Sequence, residues 1–342
     1  MKATRLLLTL SALLFSVAAH AELITIDMVT VGNPGNANDT GGTDNGAVAY
    51  SYQIGKYDVT IGQYTAFLNA VAATDTYSLY NASMTTNLNV AGISRAGSSG
   101  SYTYSVINNG GNSANRPIAY VSWFDAARFA NWMTNDQGGP GTTETGAYTL
   151  NNATSGVAPA KTPGAAFYIP TENEWYKAAY YSPALNSGSG GYYDYATQSD
   201  SAPGNTIGTG SNQANYYTGG KYSVTQSSSQ SSSQNYLTDV GAFSGSGSFY
   251  GTFDQSGNVY QWNDLDGVAG SSRGIRGGSW SDSSQFHLSS SNRFPFAPSS
   301  ERELLGFRLA SPVAVPEPST YAMALAGLAC GGYTMFRRRK RA

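Results

Sequence analysis

The chain has 342 residues, of which only 12% are charged, and it contains 40 glycines, 25 tyrosines, one cysteine and two histidines. Its aromatic content is too high for a disordered chain, and without a basic run ahead of the last few residues nucleic acid is not expected as a partner. The formal charge is −2; seven of the 19 Lys and Arg but one of the 21 Asp and Glu lie in the two terminal segments, so the body between them stands near −8.

At the N-terminus, Lys2 and Arg5 precede an apolar run from Leu6 to Ala19, and Ala19-His20-Ala21 is a small-x-small cleavage site. This predicts a secretory signal peptide over residues 1–21, with Glu22 opening the mature chain. Cys330 falls in the C-terminal segment and His20 in the signal, which leaves the body with no thiol and with His287 alone. Disulfides, thiol catalysis and thiolate metal sites are therefore excluded from it. A His-rich zinc site cannot be built, and a Ser-His-Asp triad would have to run through His287.

Along the body, Ala47–Lys56 alternates Val48, Tyr50, Tyr52 and Ile54 with small or polar residues and predicts a strand. Thr60 with Gln63 reads as a capping box opening a helix through Phe67, Leu68 and Val71. Ser122 with Asp125 opens a second helix, on which Trp123, Ala127 and Ala130 share a face. Thr171 with Glu174 opens a third behind Pro170, with Trp175, Ala178 and Ala179 facing inward, and Glu172 and Glu174 are expected to favour its dipole. Gly97–Asn112, Asn186–Gly191 and the low-complexity run Gln226–Gln234 predict loops. Short apolar clusters then alternate with glycine turns at Tyr250–Phe253, Asn258–Trp262, Gly277–Trp280 and Gly306–Leu309. The pattern predicts an α+β domain with little regular secondary structure. Asp264 and Asp266 read as solvated charges, and Arg293, Arg302 and Arg308 as partners of Glu301, Glu303 and other acids.

The last 28 residues carry Pro316-Glu317-Pro318, an uncharged stretch from Ser319 to Phe336, and Arg337-Arg338-Arg339-Lys340-Arg341. The prolines end the folded body. The apolar stretch Tyr321–Phe336 falls somewhat short of the roughly 20 residues that span a bilayer, and the cations behind it hold that end in the cytoplasm. This arrangement resembles the PEP-CTERM sorting tail. The resemblance implies transient anchoring in the inner membrane, processing by an exosortase-type enzyme, and release to the cell surface or beyond. The plain alternative is an ordinary C-terminal anchor.

The body resembles the formylglycine-generating enzyme, or sulfatase-modifying factor, family. The matching pieces are Tyr57-Asp58-Val59-Thr60 with Gln63-Tyr64 and Phe67-Leu68-Asn69; Arg116-Pro117-Ile118 with Ser122-Trp123; Ile169-Pro170-Thr171-Glu172 with Glu174-Trp175; Gly257-Asn258-Val259 with Trp262; Arg276-Gly277-Gly278-Ser279-Trp280; and Gly306-Phe307-Arg308. Six pieces in one order are specific where none is alone. The resemblance implies a single compact domain, over 22–314, with a C-type-lectin-like arrangement and bound calcium, followed by the sorting segment 315–342.

The chemistry of that family does not transfer. Its oxidase holds copper on two cysteines, and the matching positions here are Asp282 and His287. A carboxylate and an imidazole lack the softness that favours cuprous copper, so copper is not expected. The plain reading makes Asp282 a turn residue and His287 a satisfied polar residue. For calcium, the resemblance implies Asn258, Val259 and the position of Gln261, usually a glutamate, as one weak site. Asn215 and the carbonyl of Tyr216 form a second, with Asp239 as a candidate acidic partner. Gly257-Asn258 is equally readable as a turn. The expectation is an exported, non-catalytic surface protein binding extracellular polysaccharide. Its alternatives are an oxidase, formylglycine-type or recruiting metal through Asp282 and His287, and a purely structural surface component.

Overall fold

A computed structural model describes residues 23–313. The signal and the sorting tail, including the apolar stretch Tyr321–Phe336, lie outside them. Among the described residues no helix is long and apolar enough to cross a membrane.

The chain begins with β1 (Met28–Val31) and β2 (Tyr52–Gly55), then α1 (Ile61–Val71) and a single turn of helix, α2 (Ser83–Thr86). A hairpin of β3 (Ile93–Ala96) and β4 (Thr103–Val106) follows, then α3 (Trp123–Thr134) and α4 (Glu172–Tyr180). The two-residue strands β5 (Tyr181–Ser182) and β6 (Gly191–Tyr192) precede a long irregular stretch. The chain closes with β7 (Tyr260–Asn263), β8 (Arg273–Arg276), β9 (Phe294–Phe296), β10 (Leu305–Gly306) and β11 (Ala310–Pro312). The fold is α+β, as the sequence predicts. The turn and second strand of the hairpin, however, lie inside Gly97–Asn112, which reads as loop because it is rich in small and polar residues. Cross-strand pairing with Ile93–Ala96 supplies the order that local propensity does not.

All three helix starts carry the capping box that their spacing predicts. Thr60, Ser122 and Thr171 each accept a hydrogen bond from the amide three residues on, and the side chains of Gln63, Asp125 and Glu174 in turn accept one from the cap amide. Each cap contributes on the order of 1 kcal/mol. Helix α3 is buried along almost its whole length, so its polar residues need partners inside. Arg128 pairs with Glu144 at 2.8 Å, and Asn131 donates to the carbonyls of Thr143 and Tyr148. Phe67 of α1 meets Phe129 of α3 edge-on at 5.3 Å, and Phe129 meets Phe307 at 5.4 Å, which joins the helices to the C-terminal sheet.

Two small sheets frame this core. In the first, β2 lies between β1 and β11, both antiparallel to it, so the two ends of the domain meet on one strand. In the second the order is β10-β7-β8-β9, with β10 parallel to β7.

Burial also holds carboxyls that solvent would otherwise ionise. Asp125 is 3% exposed, and its pKa is pushed up to about 7 by burial, with the Glu301 charge adding to it against the Ser122 hydrogen bonds and Arg128. The folded state then keeps this proton at pH values where the unfolded chain has released it, so stability falls as pH rises from about 4 to 7. We expect the thermal midpoint of the mature body to be lower at pH 7.5 than at pH 5. Asp125→Asn, which preserves the acceptor for the Ser122 amide, should flatten that slope; an unchanged slope would show that Asp125 does not carry it.

Candidate functional site

The turn after β8 is set by Gly277 and Gly278, both at positive φ, and a side chain at Gly278 would crowd Leu288 Cδ1 at 2.6 Å. It delivers Ser279, whose amide and hydroxyl donate to Asp282 Oδ2 at 2.7 and 2.9 Å. The other oxygen, Asp282 Oδ1, lies 2.5 Å from His287 Nδ1, carried on the short 3-10 turn Gln285–Leu288. Tyr260 Oη also lies 3.0 Å from that nitrogen, and burial with the Asp282 charge pushes the phenol above its usual range. The structure thus brings the two sequence candidates into one Asp-His-Tyr cluster whose carboxylate is spent on the turn and on the imidazole. With no thiol, and with the carboxylate and imidazole engaged with each other, the pair lacks the soft thiolates that favour cuprous copper and does not fit it.

The calcium candidates also meet. Gly257 sits at φ +82 against the Asn215 backbone, where any Cβ would collide with the Asn215 carbonyl, and Asn258 takes the left-handed conformation at φ +66. Asn258 Oδ1 accepts from Asn215 Nδ2 at 3.0 Å and from the Thr238 amide at 3.2 Å. Gln261 Oε1 accepts from Trp175 Nε1 and Arg308 Nε, both at 2.7 Å, while its amide donates to the Asp254 carbonyl. The Tyr216 carbonyl accepts from Asn205 and Ser223, and the Val259 side chain packs in a small apolar cluster with Tyr236 and Trp280. Asp239 is exposed, and its charge is felt by Arg116. Calcium takes six to eight oxygens and favours carboxylates. Here the side-chain oxygens already accept N–H groups, and no group of three or more His, Cys, Asp or Glu suited to a metal occurs among the described residues. As arranged, the set does not fit the ion.

Glu172 and Glu174 stand in the first turn of α4, as the sequence predicts, and are buried there. Glu172 pairs with Arg276 and Arg293, both at 2.7 Å. Glu174 Oε1 accepts from the phenols of Tyr50 and Tyr168 at 3.0 and 2.8 Å. Arg308 pairs with Asp58, not with Glu301 or Glu303, which take hydrogen bonds from Asn81 and Asn87. Asp264 is fully buried, with Oδ1 2.7 Å from Arg273 Nε and Oδ2 accepting from Tyr148; only Asp266 is solvated. Apart from Asp264 with Arg273 and Glu174 with Tyr168, these pairings join residues far apart in the chain, which adjacent motifs cannot reveal.

A polar cleft of roughly 630 Å³ opens between the loop Asn33–Thr40 and the β5–β6 hairpin. Tyr181 and Tyr192 meet edge-on at 5.1 Å along one side. Asn36 Nδ2 donates to the Gly46 carbonyl at 2.7 Å and to Tyr192 Oη at 2.6 Å, and Tyr192 Oη donates to the Ala37 carbonyl. Asp39 accepts from Tyr176 Oη and from the amides of Gly41 and Gly42, so its charge is spent inside the loop. Asn186, in left-handed conformation, donates to the Gly190 carbonyl across the hairpin tip. The available signal was the run Gly32-Asn33-Pro34-Gly35-Asn36-Ala37-Asn38-Asp39, which reads only as a loop until the fold sets it beside Tyr192.

An α+β domain held by buried ion pairs, with an export tail behind it, describes the class. The chain belongs to the sulfatase-modifying factor enzyme 1-like family, whose model matches residues 22–313. The PEP-CTERM protein-sorting motif matches residues 314–340, which marks the protein for export through membrane-anchored processing of the exosortase type. No curated protein matches the chain. Among solved structures, CarF is 21% identical, covering 84% of this chain and 99% of its own, with a TM-score of 0.48. PvdO from Pseudomonas aeruginosa is 19% identical, covering 84% and 92%, with a TM-score of 0.40. Treponema denticola variable protein 1 is 19% identical, covering 83% and 94%, with a TM-score of 0.46.

If Asn258, Gln261 and Asn215 are complete without an ion, the thermal midpoint of the mature body should agree within about 1 °C in millimolar calcium and in chelator. A calcium-dependent rise of several degrees would return the ion to this site.

Proposed function

We propose that this exported protein is a non-oxidising member of its family that binds extracellular polysaccharide, and that the cleft between Asn33–Thr40 and Tyr192 is its ligand site. The observation that carries the reading is the composition of that cleft. The Tyr192 ring, held by hydrogen bonds and packed edge-on against Tyr181, stands beside amides and backbone carbonyls, and the one carboxylate among the lining residues, Asp39, is already engaged. A neutral, hydroxyl-rich ligand suits such a surface, because a fixed ring offers stacking area at little entropic cost and amides satisfy hydroxyls of either polarity. The oxidase reading has less support: the positions of the family's cysteines hold Asp282 and His287, which engage each other.

The test is retention of the mature body on the producing organism's own extracellular polysaccharide. Saturable retention is expected, unaffected by chelator. Tyr192→Ala, which removes an aromatic anchor worth about 2 kcal/mol, should weaken it at least about tenfold. Absence of retention with a correctly folded protein would refute the glycan reading.

The companion assay offers a sulfatase-motif cysteine peptide with copper and oxygen to the same protein. No formylglycine product is expected, and its appearance would reinstate the oxidase.

A further inference from the structure

We propose that the cleft where the chain leaves the domain holds the chain's own Pro316-Glu317-Pro318 segment. The final described strand, β11, is gripped on both edges. It pairs antiparallel with β2, Pro312 opposite Tyr52, and Ala310 exchanges both backbone hydrogen bonds with Tyr168 at 2.7 and 2.9 Å. Directly ahead of it, with Val313 at its mouth, lies a cleft of roughly 300 Å³ between Tyr50 and Ser51 on one side and Lys161, Ala165 and Tyr168 on the other. Both Pro312, opposite Tyr52, and Val313 line this cleft, so the described chain ends against it.

The lining suits what comes next in the sequence. Tyr50 is 49% exposed and offers the open ring face; its phenol donates to Glu174 Oε1, as does that of the buried Tyr168, which fixes the ring. Fixed aromatic faces are the surfaces on which proline-rich extended segments dock. Lys161 is the one cation lining the cleft, its Nζ 3.5 Å from the centre of the Tyr168 ring. Glu317 is the only charged residue between Val313 and Arg337. It lies four residues beyond Val313, within about 14 Å of extended chain. The sorting enzyme must then draw this segment out of the cleft, so processing competes with docking. The inference is independent of the polysaccharide reading.

The test is amide hydrogen exchange over residues 313–320 of the full chain in detergent micelles. Wild-type amides are expected to exchange at least about tenfold more slowly than in Glu317→Lys, a change outside the folded body. Lys161→Glu should lose the same protection, and Lys161→Glu with Glu317→Lys should recover it. Exchange of the wild-type segment at the rate of an unstructured peptide would overturn the proposal and leave the cleft to another occupant. So would protection that neither single variant reduces.

Discussion

The arginine at position 308 holds together parts of the molecule that regular structure does not. Its guanidinium is fully buried and donates to Gln261 Oε1, to Asp58 Oδ1, and to the carbonyls of Gly55 and Phe253. One cation thereby joins the end of β2, the turn before α1, the loop ahead of the Gly257 turn, and β7. Burying a guanidinium costs several kcal/mol unless its N–H groups find acceptors, so the site defines the positions of four otherwise loosely specified segments. No strand among the described residues exceeds four residues, and ladders this short cannot fix long connections. Arg276 works in the same way, bonding Glu172, the carbonyls of Ser290 and Asn292, and the Thr43 hydroxyl.

That dependence reaches the candidate sites. The oxygen of Gln261, one of the calcium candidates, is taken by Arg308 and Trp175. The neighbouring Asn215–Asn258 amide bond ties the turn at Gly257 to the segment before Tyr216 without an ion. Asp282 closes the turn after β8 and holds His287. The loop lining the 630 Å³ cleft is in turn tied to Arg276 through Thr43, so the ligand surface proposed for polysaccharide rests on a buried ion pair.

Local rules were legible in the sequence. Three capping boxes appear where Thr60, Ser122 and Thr171 place them, because a cap depends on residues three apart. Strand β4, within Gly97–Asn112, was not legible, since it gains order only by pairing with β3. Nor were the partners of Arg308 and Arg276, which are set by Asp58 and Glu172 some hundred or more positions away. Asp264 looked solvated beside Asp266 because two acids flanked by glycine carry no burial signal; Arg273 and Tyr148 converge on it only in three dimensions.

Export gives the topology of the first sheet a mechanical meaning. The strand that leads to the sorting tail, β11, is not a loose end: β2 pairs with it along one edge and Tyr168 along the other. Strand β1, near the start of the mature chain, lies on the opposite edge of β2. The two ends of the described chain therefore meet on one strand, and freeing β11 requires its hydrogen bonds to β2 and to Tyr168 to break together rather than one at a time.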